Sequence, residues 1–189
     1  MRLNLGCGHD KRQGWVNVDA QAAAEPDQVV DLERLPWPWP DDAAEEVLLK
    51  HVLEHLGQRT ETYLGIMREL WRVCRHGAKV RITVPHPRHD HFLNDPTHVR
   101  AITPQGLELF SQRKNREWRE KGGANSPLGL HLGIDFELDN VVLVPDELWR
   151  GRLERGEITR AELTRAMRAE NNVIAEMTVV LTALKALPT

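Results

Sequence analysis

A glycine turn and an acid downstream of it are the first residues of this chain whose types and spacing could do chemistry. The apolar run that ends at Leu5 breaks into Gly6-Cys7-Gly8, and the next apolar run ends at Asp19. Glycine lets a backbone approach a ligand closely, and a carboxylate that ends a second strand can accept hydrogen bonds from both ribose hydroxyls. The third glycine of the dinucleotide fingerprint is absent, because Asp10 and Lys11 stand where it would fall. The turn therefore predicts a nucleoside ligand without a pyrophosphate.

A histidine-rich segment, residues 86–98, is the second group of this kind. Its polar side chains are His86, Arg88, His89, Asp90, His91, Asp95 and His98. They could bind a divalent metal, since imidazole and carboxylate groups suit zinc, iron or manganese. They could instead supply a general base and hydrogen bonds, because histidine titrates near neutral pH. In a third interpretation the segment is a solvated loop whose histidines only cap and pack, and the residues alone leave the three open.

Short apolar runs bounded by Gly, Pro or Asp predict the strands that would position these groups. We expect strands at residues 3–7, 16–19, 28–31, 46–50, 78–84, 136–144 and 173–184. Apolar residues at helical spacing predict a helix from about Arg59 to Cys74 that Gly77 ends, and Thr103-Pro104 is typical of a helix start. A further helix is expected near residues 159–169. Residues 9–15 are too few for a full crossover helix.

Composition and charge exclude several classes of protein. The 189 residues fit one domain, residues 1–189, and 25 Lys and Arg against 28 Asp and Glu disfavour a domain built to bind bulk nucleic acid. No apolar run is long enough to span a bilayer and no apolar signal core precedes the first strand, so we expect a cytoplasmic protein without membrane contact. Cys7 and Cys74 are expected to be free thiols.

Five stretches of the sequence together resemble one known family. They are LNLGCG, GWVNVD, VVDLERLPWP, HVLEHL and RVCRHGAKVRITVP. In combination they resemble the class I S-adenosylmethionine-dependent methyltransferases, and more narrowly the type 11 group, over residues 2–112. The resemblance implies an α/β fold: a Rossmann-like seven-stranded sheet, mostly parallel with an antiparallel last strand, and helices on both faces. It also implies an insertion, residues 145–171, between the last two strands.

The resemblance implies roles for residues at the strand ends. Leu5, Gly6, Cys7 and Gly8 would border the methionyl part of S-adenosylmethionine, and Asp19 would bind its ribose. Asp31 and Leu32 match the place where the family positions the adenine ring, and His51 would lie beside the sulfonium. Residues 51–55 also match the zinc-protease pattern H-x-x-E-H. Because the same letters occur after the fourth strand in this family, we assign them to a helix start and assign no metal ligand there.

The methyl acceptor is expected at the segment after the fifth strand. A small-molecule or peptide-like acceptor would be bound there by Arg88, Asp90 and Asp95, with catalytic groups drawn from His86, His89, His91 and His98. A divalent metal in this segment stays one of the open alternatives. A non-catalytic adaptor that retains the fold is the alternative function, and the missing third glycine disfavours an NAD or nucleotide-sugar enzyme. A monomer or homodimer is expected.

Overall fold

A computed structural model describes residues 1–185, which contain seven strands. They are β1 (Arg2–Leu5), β2 (Val16–Asp19), β3 (Gln28–Val29), β4 (Ala44–Lys50), β5 (Cys74–Pro85), β6 (Phe136–Pro145) and β7 (Ile174–Ala183). They form one sheet with the order β3-β2-β1-β4-β5-β7-β6. The pairs from β3 to β5 are parallel, whereas β7 is antiparallel to both β5 and β6. The predicted Rossmann-like sheet with an antiparallel last strand is confirmed. The last four residues of the predicted domain lie outside the described range.

Helices follow mainly the later strands. They are α1 (Thr60–Val73), α2 (Asp90–Leu93), α3 (Pro104–Glu108), α4 (Gln112–Glu120), α5 (Leu128–Leu132), α6 (Glu147–Glu154) and α7 (Arg160–Ala169). Thr103 caps α3 by accepting a hydrogen bond from the Gly106 amide, as expected of a helix that starts at Thr103-Pro104. In the described part of the chain, no helix combines the length and apolar character that a bilayer span requires.

The main core lies on one face of the sheet. Alternate strand residues point into it and are fully buried, among them Leu3, Leu5, Val47, Leu49, Val80, Ile82, Val179 and Leu181. The residues between them on the central strand β5, Lys79 and Arg81, are exposed. Parallel sheets are normally covered on both faces. On the second face, Leu48 and Thr83 are buried as well, so that face is exposed only in part.

The connection from β1 to β2 crosses the polar face without a helix, as its length predicts. Asn4 Nδ2 donates to Asn17 Oδ1 at 3.0 Å and to the Asp10 carbonyl at 2.8 Å. Asn17 Oδ1 also accepts from the Arg12 amide at 2.7 Å, and Asn17 Nδ2 donates to Asp27 at 2.9 Å. Both asparagines are buried. Their hydrogen bonds hold this short loop where apolar packing would hold a crossover helix.

Two element boundaries differ from the predictions. Strand β3 has only two residues, and its Val29 is 58% exposed at the sheet edge, so Asp31 lies beyond the strand rather than at its end. Helix α1 ends at Val73 and the chain enters β5 directly, with Cys74 buried and paired to Ala44. Strand pairing therefore ends the helix, and Gly77, at φ +77°, lies within β5.

Arg72 fastens the connection between β3 and β4 onto α1. Its guanidinium donates to the carbonyls of Trp37 at 3.2 Å and Trp39 at 2.9 Å, and it pairs with Glu69 and Asp41, each at 2.7 Å. Both tryptophans are buried, and their rings meet edge to face with centroids 5.7 Å apart. One side chain therefore satisfies the polar backbone of an apolar segment.

We expect Arg72→Met to lower the free energy of unfolding by about 2–3 kcal/mol, because it leaves two carbonyls without this donor and removes the cation from Glu69, which keeps only the bond from the Trp37 amide. Urea denaturation followed by circular dichroism measures this. Arg68→Met on the exposed side of the same helix is the control, with an expected change within about 0.5 kcal/mol. Equal losses in the two variants would contradict the role given to Arg72.

Candidate functional site

The glycine turn after β1 contains two glycines in different surroundings. Gly6 has φ +64°, and a Cβ added there would lie 2.4 Å from Cγ2 of Val52. Gly8 has φ +48°, and a Cβ there would meet no heavy atom within 4 Å. Gly6 therefore permits close packing inside the protein, whereas Gly8 leaves its backbone open to a ligand at the carboxyl end of the sheet.

Asp19 ends β2 beside this opening. Its Oδ2 accepts from the Gly8 amide at 2.8 Å, and its Oδ1 accepts from the Gln21 amide at 2.8 Å. Each carboxylate oxygen retains a further lone pair. Two backbone donors thus fix the orientation of a carboxylate that can accept from two neighbouring hydroxyls, which is the geometry that a ribose diol requires.

Leu5 and Cys7 belong to the interior on either side of Gly6. Leu5 is fully buried, and the Cys7 thiol is 5% exposed. Burial, and then the charge of Asp19, raise the pKa of Cys7. Cys7 and Cys74 are both free and buried. These side chains pack beneath the turn, and only their backbone borders the opening.

Asp31 and Leu32 lie next along this edge of the sheet. Asp31 is exposed, accepts from the Glu33 amide at 2.9 Å and lies 3.5 Å from the Arg34 guanidinium. The Leu32 side chain belongs to the core, and its carbonyl accepts from the Trp37 indole at 3.0 Å. A ligand at this edge can reach the Asp31 carboxylate, whereas the Leu32 side chain faces inward.

His51 follows β4 with a left-handed backbone, φ +55°, which is uncommon for a residue with a side chain. Its amide donates to the Thr83 carbonyl at 2.8 Å. Its Nε2 lies 3.0 Å from Glu176, and its Nδ1 lies 3.5 Å from Glu54. Glu54, and with it Glu176, raise the pKa of His51 against the opposing effect of partial burial. The sheet edge therefore carries an imidazole between two carboxylates.

The first half of the histidine-rich segment is attached to the insertion between β6 and β7. His89 is buried; its Nδ1 accepts from the His91 amide at 3.0 Å, and its Nε2 lies 3.3 Å from Asp146. Arg88 donates to the carbonyls of Met167 and Arg168 at the end of α7. The Asp90 amide donates to the Asn172 side chain at 2.8 Å. His89 and Arg88 thus position the segment.

The insertion has a small apolar core of its own. Its buried members are Ile158, Leu163, Ala166, Val173 and Ile174, with Leu143, Trp149, Leu153 and Met167 packed against them. The apolar spacing of α6 and α7 is therefore satisfied by packing within the insertion. The segment after β5 therefore packs against a folded insertion at the carboxyl edge of the sheet.

Two histidines in the first half of the segment are accessible to solvent: His86 in part and His91 fully. His86 Nδ1 accepts from the Arg88 amide at 3.2 Å, and burial, with Arg88 and His89, lowers the pKa of His86. A neutral His86 then carries its proton on Nε2 and acts there as a donor. His91 is exposed and packs its ring on His89, with centroids 4.2 Å apart.

The second half of the segment turns back to the short 3-10 helix Leu53–His55. The ring of His98 lies 4.6 Å from that of His55 and stacks on Phe92 at 5.3 Å between centroids. Asp95 accepts from the amide and hydroxyl of Thr97, which lower the pKa of Asp95. The predicted histidines therefore form two groups: one with His86, His89 and His91 at the insertion, and one with His98 beside His55.

Several residues of this edge were not predicted. Glu54 and His55 were visible within H-x-x-E-H, but the stretch was assigned to a helix start without a metal ligand. Asp146 and Glu176 stand far along the sequence from their partners His89 and His51, and no local pattern marks them. The signal that could have found Glu54 is a carboxylate in a short stretch with Val52, Leu53 and Leu56, since an acid that is buried with such residues usually has a partner.

The fold has relatives among solved structures. A S-adenosylmethionine-dependent methyltransferase from Archaeoglobus fulgidus matches with a TM-score of 0.64 at 16% identity, over 96% of this chain and 85% of that one. A methyltransferase of the same kind from Methanosarcina mazei matches with a TM-score of 0.57 at 14% identity, over 98% and 92%. The cyclase SpnF matches with a TM-score of 0.54 at 14% identity, over 98% and 75%.

No family model and no curated protein matches the chain. The structural likeness confirms the class I methyltransferase fold that the sequence motifs predict. At these identities it establishes the fold and leaves the reaction to be argued from the site.

The two turn glycines should respond differently to alanine. Gly8→Ala should lower the free energy of unfolding by about 1–2 kcal/mol, because alanine is strained in a left-handed backbone. Gly6→Ala should lower it by about 2–5 kcal/mol, because its Cβ also clashes with Val52. Denaturant unfolding measures both, and Gly133→Ala, at φ +69° with no atom near its Cβ, should match Gly8→Ala. Equal costs at Gly6 and Gly8 would show that the turn repacks freely.

Proposed function

We propose that this protein is a S-adenosylmethionine-dependent methyltransferase whose cofactor binds at the carboxyl ends of β1 and β2. The observation that carries the proposal is the pair of Gly8, with its open backbone, and Asp19, with two oriented carboxylate oxygens. The methyltransferase fold of the solved relatives supports it.

The turn suits a nucleoside better than a dinucleotide. Asp10 follows the two glycines and pairs with Lys50 at 3.1 Å. Lys50, by hydrogen bond and by charge, lowers the pKa of Asp10, so a carboxylate stands where a pyrophosphate would otherwise approach the turn. Asp10 and Lys11 also occupy the place of the third glycine of the dinucleotide fingerprint, which disfavours NAD and nucleotide sugars.

The residues of the site bind and orient. Asp19 would accept from the ribose hydroxyls, the backbone at Gly6 to Gly8 would border the methionyl part, Asp31 would accept from the adenine amine, and His51 would face the sulfonium. When bound, the cofactor supplies a methyl group already activated on sulfur. The protein's main contribution is then alignment of the acceptor, an effect that can lower a barrier by about 7–11 kcal/mol.

We place the acceptor, a small molecule or peptide-like group, against the segment after β5. His86 and His91 are partly or fully exposed there and can bond to it, together with Asp90, which is also exposed. Arg88 and His89 hold the segment on the insertion. In this arrangement the insertion sets the position of the acceptor and the turn sets the position of the donor.

Asp19→Asn should weaken binding of S-adenosylhomocysteine by about 10- to 150-fold, because it removes a charge-assisted acceptor of about 1.5–3 kcal/mol. Isothermal titration calorimetry measures this, with NAD as a ligand that should not bind. Asp139→Asn is the matched control, since Asp139 is a partly buried carboxylate on the far strand β6 that bonds to Lys79. An unchanged affinity in Asp19→Asn would exclude the proposed cofactor site.

Arg88→Ala should raise the KM for the acceptor several-fold while leaving the affinity for S-adenosylhomocysteine unchanged, because it frees the segment from α7. Turnover is first identified by mass spectrometry, with S-adenosylmethionine and a panel of amines, thiols, alcohols and short peptides. A folded protein that binds S-adenosylhomocysteine and methylates nothing in the panel would favour the adaptor function. An Arg88→Ala variant with altered cofactor affinity would contradict the separation of the two halves of the site.

A further inference from the structure

Glu54 is a buried carboxylate without a hydrogen-bond partner. It is 1% exposed, and neither Oε1 nor Oε2 is bonded to any group of the described residues. Within residues 1–185, these are the buried side-chain oxygen and nitrogen atoms left unsatisfied. A buried carboxylate is costly unless it is paired or bound to a metal. The closest approach to it by His51, 3.5 Å from Nδ1 to Oε1, is too long for a good hydrogen bond.

Two imidazoles from different parts of the chain face this carboxylate. His55 follows Glu54 in the same short helix, and His98 comes from the segment after β5. One ligand atom from each of the three side chains lies within 4.8 Å of the other two. The backbone joins the same elements, because the Glu54 carbonyl accepts from the amides of Val99 at 2.9 Å and Arg100 at 3.1 Å.

The hydrogen bond of His98 fixes which of its nitrogens is free. Nδ1 of His98 lies 2.8 Å from the carbonyl oxygen of Phe92. A carbonyl only accepts, so Nδ1 must carry the proton, and neutral His98 has its lone pair on Nε2. The His98 side chain is 8% exposed, so packing also holds this orientation. Its Nε2 lies 3.8 Å from Oδ2 of Asp95, which is too far for a hydrogen bond.

The free nitrogen of His55 is fixed in a similar way, through the hydroxyl of Thr97. The Thr97 hydroxyl donates its single proton to Oδ1 of Asp95 at 2.6 Å. It must therefore accept from Nδ1 of His55, 3.0 Å away, and neutral His55 also has its lone pair on Nε2. A chain from Asp95 through Thr97 to His55 is the kind of support that orients histidine ligands in metal sites.

We propose that Glu54, His55 and His98 bind a divalent transition metal, through the carboxylate and the two Nε2 atoms. Two imidazoles and one carboxylate suit zinc, manganese, iron or cobalt rather than calcium or magnesium, which prefer oxygen ligands alone. Three protein ligands leave positions open to water or another ligand. The site uses two residues of H-x-x-E-H, but Glu54 is a ligand and His98 replaces His51, whose Nε2 pairs with Glu176.

The site shares no residue with the glycine turn or Asp19, although its Glu54 lies 3.5 Å from His51, which would face the sulfonium. Binding of metal and binding of S-adenosylhomocysteine are therefore measured separately, each with the other ligand absent. The alternative is a cluster in which protonated histidines neutralise Glu54 and no metal binds. That alternative predicts no difference in metal affinity between the native protein and a protein that lacks Glu54.

The test uses the full chain purified without an affinity tag, stripped with a chelator and titrated with Zn²⁺, Mn²⁺ or Co²⁺. We expect one equivalent to bind and the melting temperature to rise. Glu54→Gln and His98→Gln should each weaken binding by more than about 100-fold, because supporting groups alone contribute about 10- to 100-fold. Thr97→Val, which removes only the support of His55, should weaken binding by about 10- to 100-fold.

His131→Gln is the matched control, since His131 is an exposed histidine on α5 and should bind metal as the native protein does. Circular dichroism checks that each variant is folded, and Thr97→Val keeps the test decisive if Glu54→Gln does not fold. Absence of stoichiometric binding by the native protein for all three ions would overturn the proposal. Equal metal affinity in Glu54→Gln and His131→Gln would do so as well.

Discussion

The alternation of side chains along β4 and β5 is the constraint on which the rest of the structure depends. Val47, Leu49, Val80 and Ile82 are fully buried on one face, whereas Lys79 and Arg81 on the other are exposed. Leu48 and Thr83 on that second face are buried, so the face is polar and exposed only in part. Asn4, which pairs with Leu48 in the sheet, lies on the same face, and with Asn17 it binds the short connection from β1 to β2 by hydrogen bonds. Gly8 and Asp19, at the two ends of this connection, are joined by a hydrogen bond of 2.8 Å. The short connection and the proposed cofactor site therefore share the same strand ends.

Two residues at the carboxyl edge of the sheet have conformations or surroundings that are unfavourable for stability. His51 has a left-handed backbone, and Glu54, three residues later, is buried without a hydrogen-bond partner. Each departs from what local preference would choose, and such departures cluster at functional sites. Both lie where β4 ends, between the glycine turn after β1 and the segment that is bonded to the insertion. The surrounding structure holds them through the Thr83 carbonyl on one side and the amides of Val99 and Arg100 on the other.

The fold could be predicted from the sequence largely because its strands alternate with period two and its motifs follow one another in order. Asp19 was identified because strand, turn and acid are close in sequence. The bounds of β3 and α1 were missed because pairing with other strands decides them, as the contact of Cys74 with Ala44 shows. The two groups of histidines could not be separated, because His89 depends on Asp146 and His98 on His55, partners 57 and 43 residues away in the sequence. Within the candidate site, the positions of residues close in sequence were predictable, and their tertiary pairing was not.

Proteins with this fold differ in the reaction that they catalyse. Similar folds occur in methyltransferases and in the cyclase SpnF, so the sheet does not by itself select a reaction. In this chain, contacts between distant segments distinguish the carboxyl edge of the sheet: Arg88 bonds to the end of α7, and His55 bonds to Thr97. These contacts fix the position of the segment after β5 relative to the insertion and to the short helix after β4. The proposed acceptor site therefore depends on these tertiary contacts and not on the sheet alone.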